Sequence, residues 1–388
     1  MDFSLNDEQS AIVENVDRLC ARFDDAYWLA HDRSGEFPFE FHRAVADAGY
    51  LGITMPEAYG GAGLGVTEAG LLMHRVARSP GAMSACSAIH INIFGPHPIV
   101  VFGSEEQRAR WLPDLIEGKL FSCFGVTEPD AGLNTTRIRT RAERSGNGYV
   151  VHGRKVWTTT AQEASKIMLL ARTTPIEQCT RPIDGLSLFY TDLNRAHCDV
   201  RVIDKMGRKA VDSNEIFIDG LPVPLEDRIG EEGQGFRYLL HSLNPERALV
   251  GLEAVGIGQN ALARAARYAR ERVVFDRPIG QNQGIQHPLA ESWMELEAAY
   301  LMAMKGAALY DAGMDCGAEC NAAKYLGAEA GFKACTRAVM THGGMGYARE
   351  FHVERLLREV LICRIAPVSP QLILCYIAER VLDLPKSY

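Results

Sequence analysis

The chain has 388 residues, enough for two or three domains, and 47% of them are hydrophobic, enough to bury several cores. Its formal net charge is −8 and it has no basic cluster or aromatic-interleaved basic stripe, which excludes a nucleic-acid binder that works by neutralising phosphates. Its 10 Cys form no CxxC pair, and no His pair follows Cys316 and Cys320 at zinc-ligand distance, so free buried thiols and no metal site are expected.

The N-terminal stretch Met1–Glu8 is acidic and lacks a charged-then-apolar leader, and no apolar run reaches bilayer length. The expectation is a cytoplasmic protein with no membrane span. Asn6 and Gln9 make a capping box for a first helix, with Ile12, Val13, Val16, Leu19, Cys20 and Phe23 on one face. Phe37-Pro38 breaks the chain. A second helix carries Phe41, Val45 and Ala46, and Gly60–Gly65 is a loop. Glu68–Val76 reads as a third helix, and Ser84–Phe94 as a buried one. Ser104–Gln107 is a second capping box, opening a short helix that Pro113 interrupts.

From Phe121 to about Ile229 the pattern changes to short runs rich in β-branched and aromatic residues, divided by turns such as Gly146-Asn147-Gly148. Strands are expected around 149–151, 156–158, 167–170, 186–190, 200–202 and 216–218, as a small barrel or sandwich. Gly233-x-Gly235 lacks the third glycine and the βαβ context of a dinucleotide site. The helical period then returns, with long helices expected over 246–271, 286–312, 318–343 and 371–382, as a bundle. Gly256 and Gly258 are expected to permit close helix packing. The fold class is therefore α+β in three parts: helical residues 1–120, a β domain over 121–230 and a helical bundle over 231–388.

Two strand ends draw the eye. Phe124-Gly125-Val126-Thr127-Glu128-Pro129 leaves an apolar run for a Pro/Gly loop, and Lys155-Val156-Trp157-Thr158-Thr159 ends in hydroxyls, with Trp157 and Thr159 on one face by period two. Such rims hydrogen-bond the edge of a planar ring while apolar groups cover its face. In this order, and with Pro56–Gly65, Glu271–Gly280 and His342–Tyr347, they resemble the acyl-CoA dehydrogenase family over nearly the whole chain. The resemblance implies that fold, with FAD between the β domain and the bundle. It implies that Phe124, Val126 and Thr127 line the flavin ring and that Trp157 and Thr159 cover its reactive edge. Absent the resemblance, Trp157 reads as a half-buried core aromatic and Arg272 as a surface charge.

By the same resemblance Arg272 and Phe275 reach the flavin of a neighbouring subunit, where an Arg fork suits a diphosphate. Gln283, Met340 (where the family usually carries Gln), Gly343, Gly344, Ser369 and Gln371 complete the cofactor segments. That crossing contact implies a homotetramer, a dimer of dimers. Most members place the base, a Glu, near the C-terminus, where this chain has Pro367. A minority, of isovaleryl- and long-chain type, place it in a Glu-Arg pair opening a long helix. Leu243-Asn244-Pro245-Glu246-Arg247 matches that arrangement, with Asn244 as cap and Pro245 in the first turn. The resemblance makes Glu246 the base, with Arg247 and Asn244 at the thioester or pantetheine. The dipole preference for Glu in a first turn is the plainer explanation. Leu133 stands where the family commonly has Ser near the CoA portion. The implied activity is dehydrogenation of an acyl-CoA, with electrons passed to an electron-transfer flavoprotein. The alternatives are an oxygen-using oxidase or monooxygenase of the same fold, and a flavin-binding protein that has lost its base.

Overall fold

The computed structural model describes residues 4–387. Met1–Phe3, part of the acidic N-terminal stretch, and Tyr388 lie outside them. Among the described residues, seven α-helices come first: α1 (Asp7–Cys20), α2 (Asp25–Ser34), α3 (Phe39–Asp47), α4 (Val66–Arg78), α5 (Ala82–Phe94), α6 (His97–Phe102) and α7 (Glu105–Ile116). The Asn6 side chain accepts from Gln9 N at 2.8 Å and Gln9 Oε1 accepts from Asn6 N at 3.2 Å, which closes the capping box. α2 has no counterpart in the sequence reading. Its buried side chains are Trp28 and Asp32, too few for a periodic signal, although Asp24 caps it and Gly35 ends it at φ +76°.

Two expectations fail in this layer. α7 runs through Pro113 without interruption, because Trp111, Leu112, Leu115 and Ile116 are buried on both sides of it and packing outweighs one lost helical hydrogen bond. The stretch Ala82–Phe102 is also long and apolar enough to cross a bilayer, contrary to expectation. However, 67% of its apolar window is buried inside the protein, so its apolar character is spent on the core.

Eight strands follow: β1 (Ser122–Gly125), β2 (Arg141–Ser145), β3 (Gly148–Thr159), β4 (Lys166–Arg172), β5 (Leu186–Asp192), β6 (Cys198–Val202), β7 (Ser213–Pro224) and β8 (Arg228–Ile229). They form one mixed sheet in the order β6-β7-β3-β2-β4-β5-β8, with β1 parallel to β4. Both faces of β4 are covered. Ile167, Leu169 and Ala171 join a core within the β domain, while Met168 and Leu170 meet Trp111, Leu112 and Leu115 of α7. The runs at 149–151 and 156–158 belong to one strand, β3, whose register against β7 slips at Val151/Gly153 and again at Lys155/Thr158.

The chain closes with α8 (Gly235–Glu271), a small ribbon of β9 (Val273–Val274) and β10 (Arg277–Pro278), then α9 (Gln283–Asp311), α10 (Gly317–His342), α11 (Val353–Ile365) and α12 (Pro370–Arg380). α11 was not anticipated, although Val353, Leu356, Val360 and Cys363 repeat at helical spacing and are buried. α8 and α10 meet through small residues. A Cβ on Gly327 would lie 2.5 Å from Gly251 O, and one on Gly258 would lie 2.9 Å from Gly331 Cα. Gly256 makes the corresponding approach to α4, where a Cβ would lie 2.5 Å from His74 O.

The largest correction concerns α8, which starts at Gly235, so Pro245 is inside it. Asn244 is therefore not a cap, and Glu246 lies about three turns into the helix. The extra turns are held by the β domain. Leu239 is fully packed in the core with Leu186, Leu188 and Ile229, and Phe236 and Tyr238 pack against the same cluster. A first-turn dipole preference accordingly cannot account for Glu246.

One buried ion pair ties the strand ends together. Lys155 Nζ donates to Glu128 Oε1 at 2.9 Å and to Val126 O at 3.0 Å, and Glu128 also accepts from Arg139 N at 2.6 Å and Thr140 N at 2.9 Å. Burial opposes ionisation of Glu128, but Lys155 and these backbone N–H groups outweigh it and hold the carboxyl below its usual range. Burial pushes the Lys155 ammonium down to about 8 despite Glu128 beside it, so both partners are charged at neutral pH. Lys155→Met, which strands the Glu128 charge, is expected to cost about 3–5 kcal/mol in urea unfolding, and adding Glu128→Gln is expected to recover most of it.

Candidate active site

β1 and β3 present a ledge at one rim of the sheet. Val156 N donates to Thr127 O at 3.0 Å, which places the two expected motifs side by side. Phe124, Val126, Thr127 and Thr159 are half-buried there. Trp157 sits at the β3 bulge with φ +61° and is 57% exposed, while its neighbour Thr158 is buried. A left-handed backbone at a bulky residue is uncommon and here turns the indole out of the sheet. The Thr158 and Thr160 hydroxyls are buried without a protein partner. An apolar ledge with an exposed indole, nearby hydroxyls and unpaired buried oxygens fits an aromatic ring system with a polar edge, such as a flavin.

The ledge leads to Glu246 through two rings of α5. Phe124 packs on Phe94 with centroids 5.6 Å apart, and Phe94 packs on His90 at 5.5 Å. His90 Nε2 lies 3.9 Å from Glu246 Oε1, and His90 Nδ1 lies 2.8 Å from Glu253 Oε1. The Glu246 side chain is 12% exposed, and its Oε2 is buried without a protein partner. Burial alone would push His90 down, but Glu253 and Glu246 outweigh it and push the imidazole up to about 10. His90 escaped the sequence reading. Its signal was a polar stripe, Ser84, Ser87 and His90, at i, i+3, i+6 on a helix whose other residues, Asn92 apart, are apolar.

Arg247 Nη1 donates to Asn244 Oδ1 at 2.8 Å, and Arg247 Nε is buried without a protein partner. Burial draws this guanidinium below its ordinary value against the pull of Glu246. Beyond it, Lys324 on α10 is fully buried and donates to Val368 O at 2.6 Å and Arg364 O at 3.3 Å. Burial pushes Lys324 down to about 8. Lys324 thus fastens the segment 364–371, which contains Pro367 and no acidic residue. Ser369 is the N-cap of α12, accepting from Leu372 N at 3.3 Å, and Gln371, two residues on in the first turn, is exposed. Leu133 is 58% exposed on the loop after β1 and is not drawn into this cluster.

The remaining expected cofactor residues lie elsewhere. Arg272 ends α8, about 40 Å from Glu246 at 1.5 Å per residue. Phe275 is 93% exposed, Gln283 starts α9, Met340 is 74% exposed and Gly343 and Gly344 are exposed; the ends of α8 and α10 meet where Tyr268 stacks on His342 with centroids 4.2 Å apart. Gly343 has φ +61°, and a Cβ at either glycine would meet nothing within 4 Å, so the backbone is open to close approach there. Glu246, in the body of α8, and Arg272, at its C-terminal end, are thus about seven turns apart on one helix.

The comparisons with known proteins agree with this architecture. Models of the acyl-CoA dehydrogenase N-terminal, middle and C-terminal domains match residues 6–119, 123–221 and 233–382. The chain is 34% identical over 391 residues to acyl-CoA dehydrogenase fadE12 of Mycobacterium bovis, covering 100% of this chain and 99% of that one. It is 32% identical over 335 residues to the caffeyl-CoA reductase-Etf complex subunit CarC of Acetobacterium woodii, covering 86% of each. A glutaryl-coenzyme A dehydrogenase in complex with glutaryl-CoA superposes with a TM-score of 0.95 at 29% identity, over 100% of this chain and 98% of that one. With all three domain models matched in order, the chain belongs to the acyl-CoA dehydrogenase family of oxidoreductases.

Proposed function

We propose that Glu246 is the base with which this chain performs the reaction of its family, α,β-dehydrogenation of an acyl-CoA, using FAD and passing electrons to an electron-transfer flavoprotein. The observation that carries the assignment is the Glu246 carboxylate, screened from water, with one free oxygen and two aromatic rings away from the β1–β3 ledge. Flavin, when bound, supplies the acceptor for the β hydride, and Phe124, Val126, Thr127, Trp157 and Thr159 would hold its ring. The ledge orients the acyl group and excludes water. Glu246 takes the α proton, a task that demands contact distance because the α carbon is a weak acid. Arg247, held by Asn244, directs a half-buried cation toward the thioester or pantetheine end. The Pro367 position does not leave the cleft without a base, since the carboxylate is supplied from α8 instead.

FAD, with its diphosphate and adenine, also accounts for Arg272 at the far end of α8. Arg272, Phe275, Gln283, Met340, Gly343 and Gly344 of one copy would complete the cofactor site of another, which makes a homotetramer built as a dimer of dimers the fitting assembly. The likeness to the Etf-complex subunit CarC supports the electron-transfer flavoprotein as acceptor.

Two experiments test this reading. Glu246→Gln is expected to retain yellow FAD yet slow anaerobic flavin bleaching by acyl-CoA by about 10²–10⁴-fold, and bleaching at the wild-type rate refutes the base assignment. Arg272→Gln, remote from Glu246 within one chain, is expected to lose FAD on gel filtration while its circular-dichroism melt stays close to wild type. Retention of full FAD content refutes the shared site. A panel of acyl-CoA thioesters scored by bleaching defines the acyl group.

A further inference from the structure

Below Glu246 the interior is charged, and the mechanism above does not use those charges. From α8, Glu253 is fully buried, as is Glu359 from α11, which accepts from Ser84 N at 3.0 Å and Ser84 Oγ at 2.7 Å. From the β6–β7 segment, Arg208 reaches Ser87 Oγ at 3.0 Å and Ser213 Oγ at 3.3 Å, and from α11, Arg355 lies 3.5 Å from Glu359. Lys324 of α10 and Arg247 of α8 face Glu246 from the other side, and both feel its charge. Among the described residues, His90 is the cation that reaches within 4.0 Å of both Glu246 and Glu253.

We propose that His90, anchored by Glu253, is a positioning residue for the Glu246 carboxylate, and this inference rests on Glu246 being the base. The 2.8 Å bond to Glu253 fixes the ring through Nδ1 and aims Nε2 at Glu246. A neutral ring would leave the buried Glu253 carboxylate without a charged group in direct contact, only the more distant Arg208 charge acting on it, an arrangement that costs several kcal/mol. The ring is therefore an imidazolium, and its proton stays in place through the reaction. At rest the three groups carry one excess negative charge, on Glu246. When the α C–H bond breaks, its proton goes to Glu246, its electron pair stays with the substrate carbon, and the cluster becomes neutral. His90 thus faces the Glu246 charge and keeps the carboxylate pointed before the transfer, and the His90–Glu253 pair remains balanced after it. The direction of the His90 shift, up to about 10, agrees with this geometry.

The test uses the FAD-loaded enzyme with His90→Gln, which keeps a donor toward Glu253 but removes the charge. The acid limb of the anaerobic bleaching rate is expected to move to higher pH by about one unit, a tenfold loss below the limb, with acyl-CoA affinity unchanged. A readout independent of turnover is the infrared carboxylic-acid band that disappears in Glu246→Gln, which is expected to titrate at higher pH in His90→Gln. An acid limb and band that coincide with wild type overturn the proposal. If His90→Gln does not fold, histidine 15N NMR of the wild type decides it. One of the 11 His is expected to remain doubly protonated at pH 8, and none doing so overturns the proposal. Should Glu246→Gln bleach normally while the band still shifts in His90→Gln, the base assignment fails and the dyad stands.

Discussion

The Lys155–Glu128 pair is the contact on which the site depends. Neither β1 nor the end of β3 can hold the ledge alone. β1 has four residues, and β3 loses register at Lys155/Thr158. An ammonium fully withdrawn from water, bonded to a carboxylate that also takes two backbone N–H groups, fixes the loop after β1 to the middle of β3. The pair is an expensive way to join two strands, because desolvating both ions offsets most of their attraction. What it provides is placement. Once Lys155 points inward at a bulge, Trp157 two residues on is forced outward in a left-handed backbone, and the ledge acquires its aromatic wall.

The helical layer repeats that strategy with different residues. α5, α8 and α11 bring Ser84, Ser87, His90, Glu253, Arg355 and Glu359 together where an apolar core would be the stabler packing. Charges so placed have few alternative partners, so each fixes a neighbour's rotamer. α8 is the shared axis. Its first turns are bound to the β domain by Leu239, its middle carries Glu246 and Glu253, and its far end presents Arg272 to the outside. One helix thus spans from the β-domain contact, past the buried carboxylates, to the exposed Arg272.

Much of this was legible in the residues, and the misses have identifiable causes. The α–β–α order follows from hydrophobic period, and the two motif strands from their apolar runs and turn residues. α8 was cut short because Pro245 and a favourable cap residue, Asn244, imitate a helix start, and only contact with β5 and β8 across the domain junction overrules them. α2 was missed because one Trp buries most of its face, and Pro113 misled for the same reason as Pro245. Site residues borne by motifs were found by motif. His90 and Glu253 belong to no motif and are 163 positions apart, so only the packing of α5 on α8 brings them together.

That separation bears on where the base is carried. A carboxylate on the segment 364–371 would sit on a connection between α11 and α12, held in part by Lys324, whose ammonium would then pair with it. In this chain Lys324 is spent on the carbonyls of Arg364 and Val368, and the segment offers Pro367 instead. Moving the carboxylate to α8 places it on a helix whose backbone is bonded on both sides and whose side chain meets a cation anchored from the same helix, seven positions along. Two turns of helix bring Glu246 and Glu253 to the same face, and one imidazole on α5 spans them. A base on a loop depends on that loop's order, whereas a base on α8 depends on helix packing between α5 and α8.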